Sequence, residues 1–379
     1  MTNYQPLLTP LTLTNGAVIQ NRLAMAPTSV TDATPDGTIT PAILTLFERR
    51  SQVAGLLIAG AATINERGKA FESQMSIAED KHIDGLRELA KRMKKDGGKA
   101  VLQIYHAGRQ AAASHNLFGE VVAPSKNTLT NLPYEPRELS TIEILSIVKQ
   151  FGEATERAID AGFDGVEIHG ANNFLIHQFF SASSNLRQDE WGGNLKKRMA
   201  FPLAVIKEVK KAATAKAKSD FIIGYRLVPE EISNDMLGYS FDEALSLIDV
   251  IADQKLDYLH LSLFTGYDSH AAHSTKPYGQ AVKELVGNRA AVVIVSQITT
   301  AQEALDALNY GDLVALGRSA LIEPAFAAKI EKGEADTIMT EITIESAATI
   351  GLPPNLIDLF VSGAVSLDLP GKENLTTDP

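Results

Sequence analysis

Cysteine is absent from all 379 residues. That excludes disulfides, iron–sulfur clusters, thiolate zinc sites and a cysteine nucleophile, and it fits a reducing cytoplasm. Positive charge is scarce as well. The formal net charge is −11 and no strongly basic run appears, so nucleic acid and anionic membranes, which select a cationic surface, are disfavoured as partners. Long apolar stretches are missing, none approaching the roughly 20 residues of a spanning helix. The opening "MTNYQPLLTPLTLTNG" has no basic region followed by an apolar run, so no signal peptide is expected. What is present is an ordinary globular balance, 45% hydrophobic and 21% charged. The length allows two domains, or one α/β barrel of roughly 250 residues with insertions.

Asn15-Gly16 sits between alternating residues and predicts a hairpin turn. After it, eight short apolar runs recur: "RLAMAP" (22–27), "GLLIAGA" (55–61), "AVLQIYH" (100–106), "GVEIH" (165–169), "FIIGYRL" (221–227), "YLHLSL" (258–263), "VVIVSQ" (292–297) and "LVALGR" (313–318). Runs of this kind suit parallel strands buried on both faces. Between them lie helical patterns. Three open on a capping box, Ser140 with Glu143, Ser240 with Glu243 and Thr300 with Glu303. The alternation predicts a closed (βα)8 barrel over residues 1–335, with a doubly wound open sheet as the second fold. Residues 336–379 read as a C-terminal extension whose polar end, "LPGKENLTTDP", is expected to be disordered. The longest irregular stretches, 107–139, 170–197 and 264–278, all follow strand C-termini, where barrel enzymes keep their chemistry.

Polar residues at those tips are therefore the candidates. Strand one ends in Pro27, Thr28 and Ser29; strand three carries Gln103 and then "YHAGR"; strand four gives His169 and Asn172, strand five Arg226, and strand eight Gly317 and Arg318. Each alone has a structural reading: Gln103 as a satisfied core amide, Arg226 as the partner of a carboxylate such as Glu167. "VSQITT" and "LGRSA" lead into helices where barrels often bind phosphate, with Arg318 as a charged fork, although a tight turn and a surface arginine would look the same.

Four segments carry a family resemblance: "LLTPLTLTNGAVIQNRLAMAP", "QIYHAGRQ", "GFDGVEIHGANNFLIHQFFSASSNLRQDEWGGNLKKR" and "ALGRSALIEPAFA". From about residue 7 to 330 the chain resembles the Old Yellow Enzyme family of FMN-dependent NAD(P)H oxidoreductases. The resemblance implies a (βα)8 barrel holding one FMN, with NADH or NADPH as reductant and a small-molecule acceptor. By position, Pro27, Thr28, Ala61, Gln103 and Arg226 would surround the isoalloxazine, with Ser29 where relatives place a hydroxyl or thiol. Ser296, Gln297, Gly317 and Arg318 would hold the phosphate. His169 and Asn172 match the pair that donates hydrogen bonds to the oxygen of an enone, quinone, nitro compound or phenol stacked on the flavin. A metal site at His169 and His177 would need a carboxylate cluster that is not evident.

Phe174 departs from this pattern. Most relatives have there a tyrosine that protonates the α-carbon of the reduced alkene, and phenylalanine cannot. Either another group such as Tyr105 or water donates, or the acceptor needs no positioned proton on carbon, as with quinones, nitro compounds or free flavins, or Phe174 is packing in a shifted alignment. "VSQITT" also lacks the usual glycine at Ser296, and Lys197 replaces the asparagine of the family's "ENR". A flavin-binding protein with little turnover is the alternative from another class. A lyase- or isomerase-type phosphate-binding barrel is the third, with no strand-tip lysine to support it. A homo-oligomer is compatible with all of these.

Overall fold

The computed structural model describes residues 2–126, 132–233, 236–362 and 368–375. Fourteen strands are seen in it. A hairpin, β1 (Leu11–Thr12) and β2 (Val18–Ile19), turns at Asn15-Gly16 as its sequence predicts. The barrel strands are β3 (Leu23–Met25), β4 (Leu56–Thr63), β5 (Lys99–Tyr105), β8 (Gly165–Gly170), β9 (Ile222–Leu227), β12 (Tyr258–Leu261), β13 (Ala291–Val295) and β14 (Leu313–Leu316). Two further pairs lie in loops on the C-terminal side: β6 (Val122–Ala123) with β7 (Arg137–Glu138), and β10 (Glu231–Ser233) with β11 (Met236–Tyr239).

Each of the eight apolar runs is a barrel strand, and the ring closes in parallel through Val314↔Leu23, Ala315↔Ala24 and Leu316↔Met25. That closure rules out the open sheet. Side chains alternate between two cores, as the two-residue period of a strand demands. Ala24, Leu56, Ile58, Val101, Ile222, Tyr258, Val293 and Leu313 meet inside the barrel, and Leu13, Ala17 and Ile19 of the hairpin plug them from below. Their neighbours, among them Leu57, Leu102, Val166, Ile168, Leu259 and Val314, face the helices.

The three capping boxes form. In the longest helix, Thr141–Asp160, Ser140 Oγ accepts from Glu143 N at 3.3 Å while Glu143 accepts from Ser140 N at 2.8 Å. The helix buries Ile144, Ile147, Val148, Phe151 and Ala158, a spacing of three to four residues that lays one face on the barrel.

The hairpin β10–β11 was not legible in the sequence. Ile232 and Leu237 are exposed there, so its apolar residues mark no core. The stretches at 107–139 and 170–197 contain short helices, Ala112–Phe118, Leu175–Phe180 and Leu195–Arg198, and residues 127–131 of the first lie outside the described residues. Helices Ile344–Ile350 and Pro354–Val361 of the C-terminal segment lie against the barrel. Buried Arg50 ties them down, donating to the carbonyls of Leu46, Ala320, Leu321 and Ile350 at 2.8, 2.9, 2.6 and 3.0 Å. Asn355 N donates to Asp32 Oδ1 at 3.2 Å. Of the end expected to be disordered, Lys372–Leu375 form a 3-10 turn, and 376–379 lie outside the described residues.

Candidate active site

Toward the C-terminal ends of the strands the barrel interior turns polar, and register decides which groups meet. Gln103 stands opposite Glu167, and Arg226 opposite both His169 and His260. Glu167 is fully buried. Its carboxylate accepts from Gln103 Nε2 at 2.7 Å and from His260 Nδ1 at 2.9 Å. Burial pushes this carboxyl up, but His260, Arg226 and Gln103 outweigh burial and hold it below its ordinary value. Burial holds His260 below its ordinary value against the pull of Glu167, and its Nδ1–H donates to the carboxylate. The counter-charge is the guanidinium of Arg226, itself buried. Neither Glu167 nor His260 was singled out from sequence as a site residue. The available signal was a charged or imidazole side chain inside an otherwise apolar strand.

One layer higher sit the expected acceptor groups. His169 is 4% exposed, and burial, reinforced by Arg226, His260 and His177, holds its imidazole neutral. Its Nδ1 accepts from Ala171 N at 3.4 Å, which assigns the ring proton to Nε2. Asn172 has φ +55°, a left-handed conformation that asparagine tolerates. Its Oδ1 accepts from Ser262 Oγ at 2.9 Å, and Ser262 Oγ accepts from Arg226 Nη2 at 3.1 Å. Phe174 stands edge-on to the His169 ring, centroids 5.0 Å apart, and to Tyr105 at 4.8 Å. Tyr105, one candidate for a replacement proton donor, is wholly buried, and its hydroxyl donates to Gln74 Oε1 and accepts from Ala70 N at 3.2 Å. Its ring lines the site; its proton is committed elsewhere.

Pro27, Thr28 and Ser29 are half-buried just past β3, and Ala61 lies buried in β4. Past β13, Ser296 and Gln297 turn through φ +109° and +53°. Gly317 precedes the short helix Arg318–Ile322, and a Cβ there would meet no atom within 4 Å. Two details bear on the phosphate expectation. The helix opening at Ala301 does not offer all its N–H groups, because Glu303 accepts from Thr299 N at 2.7 Å and Thr300 N at 2.9 Å. Arg318 donates to the Asp368 carbonyl at 2.5 Å, so the C-terminal segment already engages the fork. Ser296 occupies backbone space that favours glycine, at a cost of about 1–3 kcal/mol. Ser296→Gly should raise stability by about 1 kcal/mol in denaturation of the FMN-free protein; a loss would contradict a strained turn.

Among the described residues no group of three or more His, Cys, Asp or Glu could hold a metal ion. His177 instead faces Glu231 at 3.3 Å.

The model of the NADH:flavin oxidoreductase / NADH oxidase family matches residues 6–337. The chain belongs to that family. It is 41% identical over 362 residues to the probable NADH-dependent flavin oxidoreductase YqiG of Bacillus subtilis, covering 95% of this chain and 96% of that protein. It is 38% identical to the NADH:acrylate oxidoreductase of Vibrio harveyi over 92% of this chain but only 35% of that longer protein. The solved structure of the old yellow enzyme from Trypanosoma cruzi superposes with a TM-score of 0.72 at 26% identity, over 88% of this chain and 93% of that one. The protein is thus an FMN-dependent NAD(P)H oxidoreductase of the Old Yellow Enzyme type.

The residues present fit such a cofactor. Arg226 Nε and His260 Nε2 are buried polar atoms without a hydrogen-bond partner among the described residues. Gln103, with its amide N–H given to Glu167, keeps its oxygen as an acceptor. Among the described residues no helix is long and apolar enough to cross a membrane.

Proposed function

We propose that the protein carries electrons from NADH, in the cytoplasm, to an electron-poor acceptor with an oxygen head group that needs no proton from the protein on carbon: a quinone or a free flavin in preference to an enone. The carrying observation is Phe174. Where a hydroxyl would stand beside His169 there is an edge-on phenyl ring, and the neighbouring Tyr105 hydroxyl is spent on Gln74.

Pro27, Thr28, Ser29, Ala61, Gln103 and Arg226 would hold the FMN ring, and Ser296, Gln297, Gly317 and Arg318 its phosphate. Bound FMN would supply the two-electron store between nicotinamide and acceptor. The chain's own residues do the rest. Neutral His169 Nε2–H and the Asn172 amide both donate to one acceptor oxygen, favouring the state in which negative charge gathers there. The apolar edges of Phe174 and Tyr105 keep the acceptor's carbon face dry. NADH is preferred in this reading because the relatives at 41% and 38% identity are named for it. The acrylate in the second name belongs to a protein of which this chain spans 35%, so it does not choose the acceptor here. The reading takes no side between a monomer and a homo-oligomer.

Phe174→Tyr tests the proposal. A positioned acid contributes about 10²–10⁴-fold to a protonation-dependent step. The variant should therefore raise turnover of a cyclic enone by about 10²-fold and of a quinone by less than about threefold. Equal effects on both would sink the missing-proton account.

A further inference from the structure

We infer that Ser262 is a positioning residue for acceptor binding: its hydroxyl fixes the Asn172 amide with the NH2 group toward the acceptor and couples that amide to the Arg226 guanidinium. The inference rests on the reading of His169 and Asn172 given above. The direction of the chain follows from what each group can do. A guanidinium only donates, so at the 3.1 Å contact Ser262 Oγ must accept. The hydroxyl has a single proton, and Asn172 Oδ1, 2.9 Å away, receives it. With its oxygen occupied, Asn172 is left with Nδ2, which has no partner among the described residues. A flipped amide would set NH2 against the hydroxyl and strand the serine proton in a site where Ser262 is 1% exposed.

The first bond is charge-assisted, and a donor that is itself hydrogen-bonded to a cation polarises the next bond in the row. Ser262 thereby makes the Asn172 amide a better donor besides orienting it. Glu167 beneath Arg226 supplies the opposite charge, so the row ends on a balanced pair and not on an isolated buried cation. β12 ends at Leu261, and Ser262 continues its line, its N–H bonded to the Leu227 carbonyl at 2.7 Å. The hydroxyl is therefore held by the barrel, whereas Asn172 stands in a loop. A barrel-fixed group orienting a loop-borne one is what a precise donor pair requires.

The test is a double-mutant cycle on the FMN-loaded protein, titrated with para-chlorophenol and read by the change in the visible flavin spectrum. Asn172→Ala and Ser262→Ala should each raise the phenol Kd about tenfold, the loss of one buried hydrogen bond. In the Asn172→Ala background, Ser262→Ala should add less than about twofold, because the group it orients is gone. Ser262→Thr, which keeps the hydroxyl, should stay within about threefold of the starting protein. A Kd raised by Asn172→Ala but not by Ser262→Ala overturns the inference and leaves the acceptor site intact. A full tenfold effect of Ser262→Ala in both backgrounds overturns it as well, since the serine would then act without the amide. If Asn172→Ala itself changes nothing, the proposed acceptor site falls and the inference with it.

Discussion

Alanine at both 169 and 172 should lower kcat/KM for a quinone by on the order of 10³-fold with FMN still bound. Removal of one preorganised donor to a developing oxyanion typically costs about 10²–10³-fold, and groups acting on one oxygen are not additive. Neither side chain is a pillar of the fold. Among the described residues His169 makes one long hydrogen bond, to Ala171 N, and Asn172 lies in a loop with one side-chain hydrogen bond. FMN absorbance and melting temperature should therefore change little, which separates loss of chemistry from loss of the protein. A double variant within about tenfold of the starting activity would remove the pair from the mechanism.

Glu167→Gln should be the most destabilising conservative change in the site. The carboxylate satisfies Gln103 and His260 at once and balances Arg226, all inside the barrel. An amide has one oxygen where two donors now bond, and it leaves the guanidinium without its counter-charge. Breaking one partner of a buried charged set costs about 3–5 kcal/mol, a fall in melting temperature of about 4–6 °C. Asp84→Asn, which removes an exposed surface ion pair with Arg87, should change nothing measurable. The folded carboxyl titrates below its ordinary value near 4.5. Its contribution is thus present above that value and is lost as pH falls through the folded pKa, so the variant's deficit should shrink in acid. A deficit that grows in acid, or none at neutral pH, would contradict the buried-carboxylate account.

The barrel was legible because a parallel strand buried on both faces is a contiguous apolar run, and all eight runs satisfied that condition. His169 and Asn172 stood out because they follow such a run within a long specific motif. Glu167, His260 and Ser262 were harder. A polar residue in an apolar strand looks alike in sequence whether it points inward or toward the helices. Only the pairing of Glu167 with Gln103, and of Arg226 with His169 and His260, puts them in one layer. What the phosphate loops offer was hard to read for a related reason. Thr300 and Glu303 announce a helix start correctly, yet the same carboxylate that caps the helix occupies two N–H groups at its mouth. Tyr105 does stand beside Phe174, but the claim on its proton comes from Gln74, which is far enough away in sequence to give no sign.

The most direct test of the central claim is an anaerobic sequence on FMN-loaded protein: NADH first, then a quinone or a cyclic enone, following the visible flavin absorbance. The account predicts bleaching by NADH, then recovery at least about tenfold faster with the quinone than with the enone, since only the enone needs the positioned proton that the site lacks. Recovery as fast with the enone would mean that a proton donor stands in the site despite Phe174. No bleaching with either nicotinamide would contradict the assigned chemistry outright.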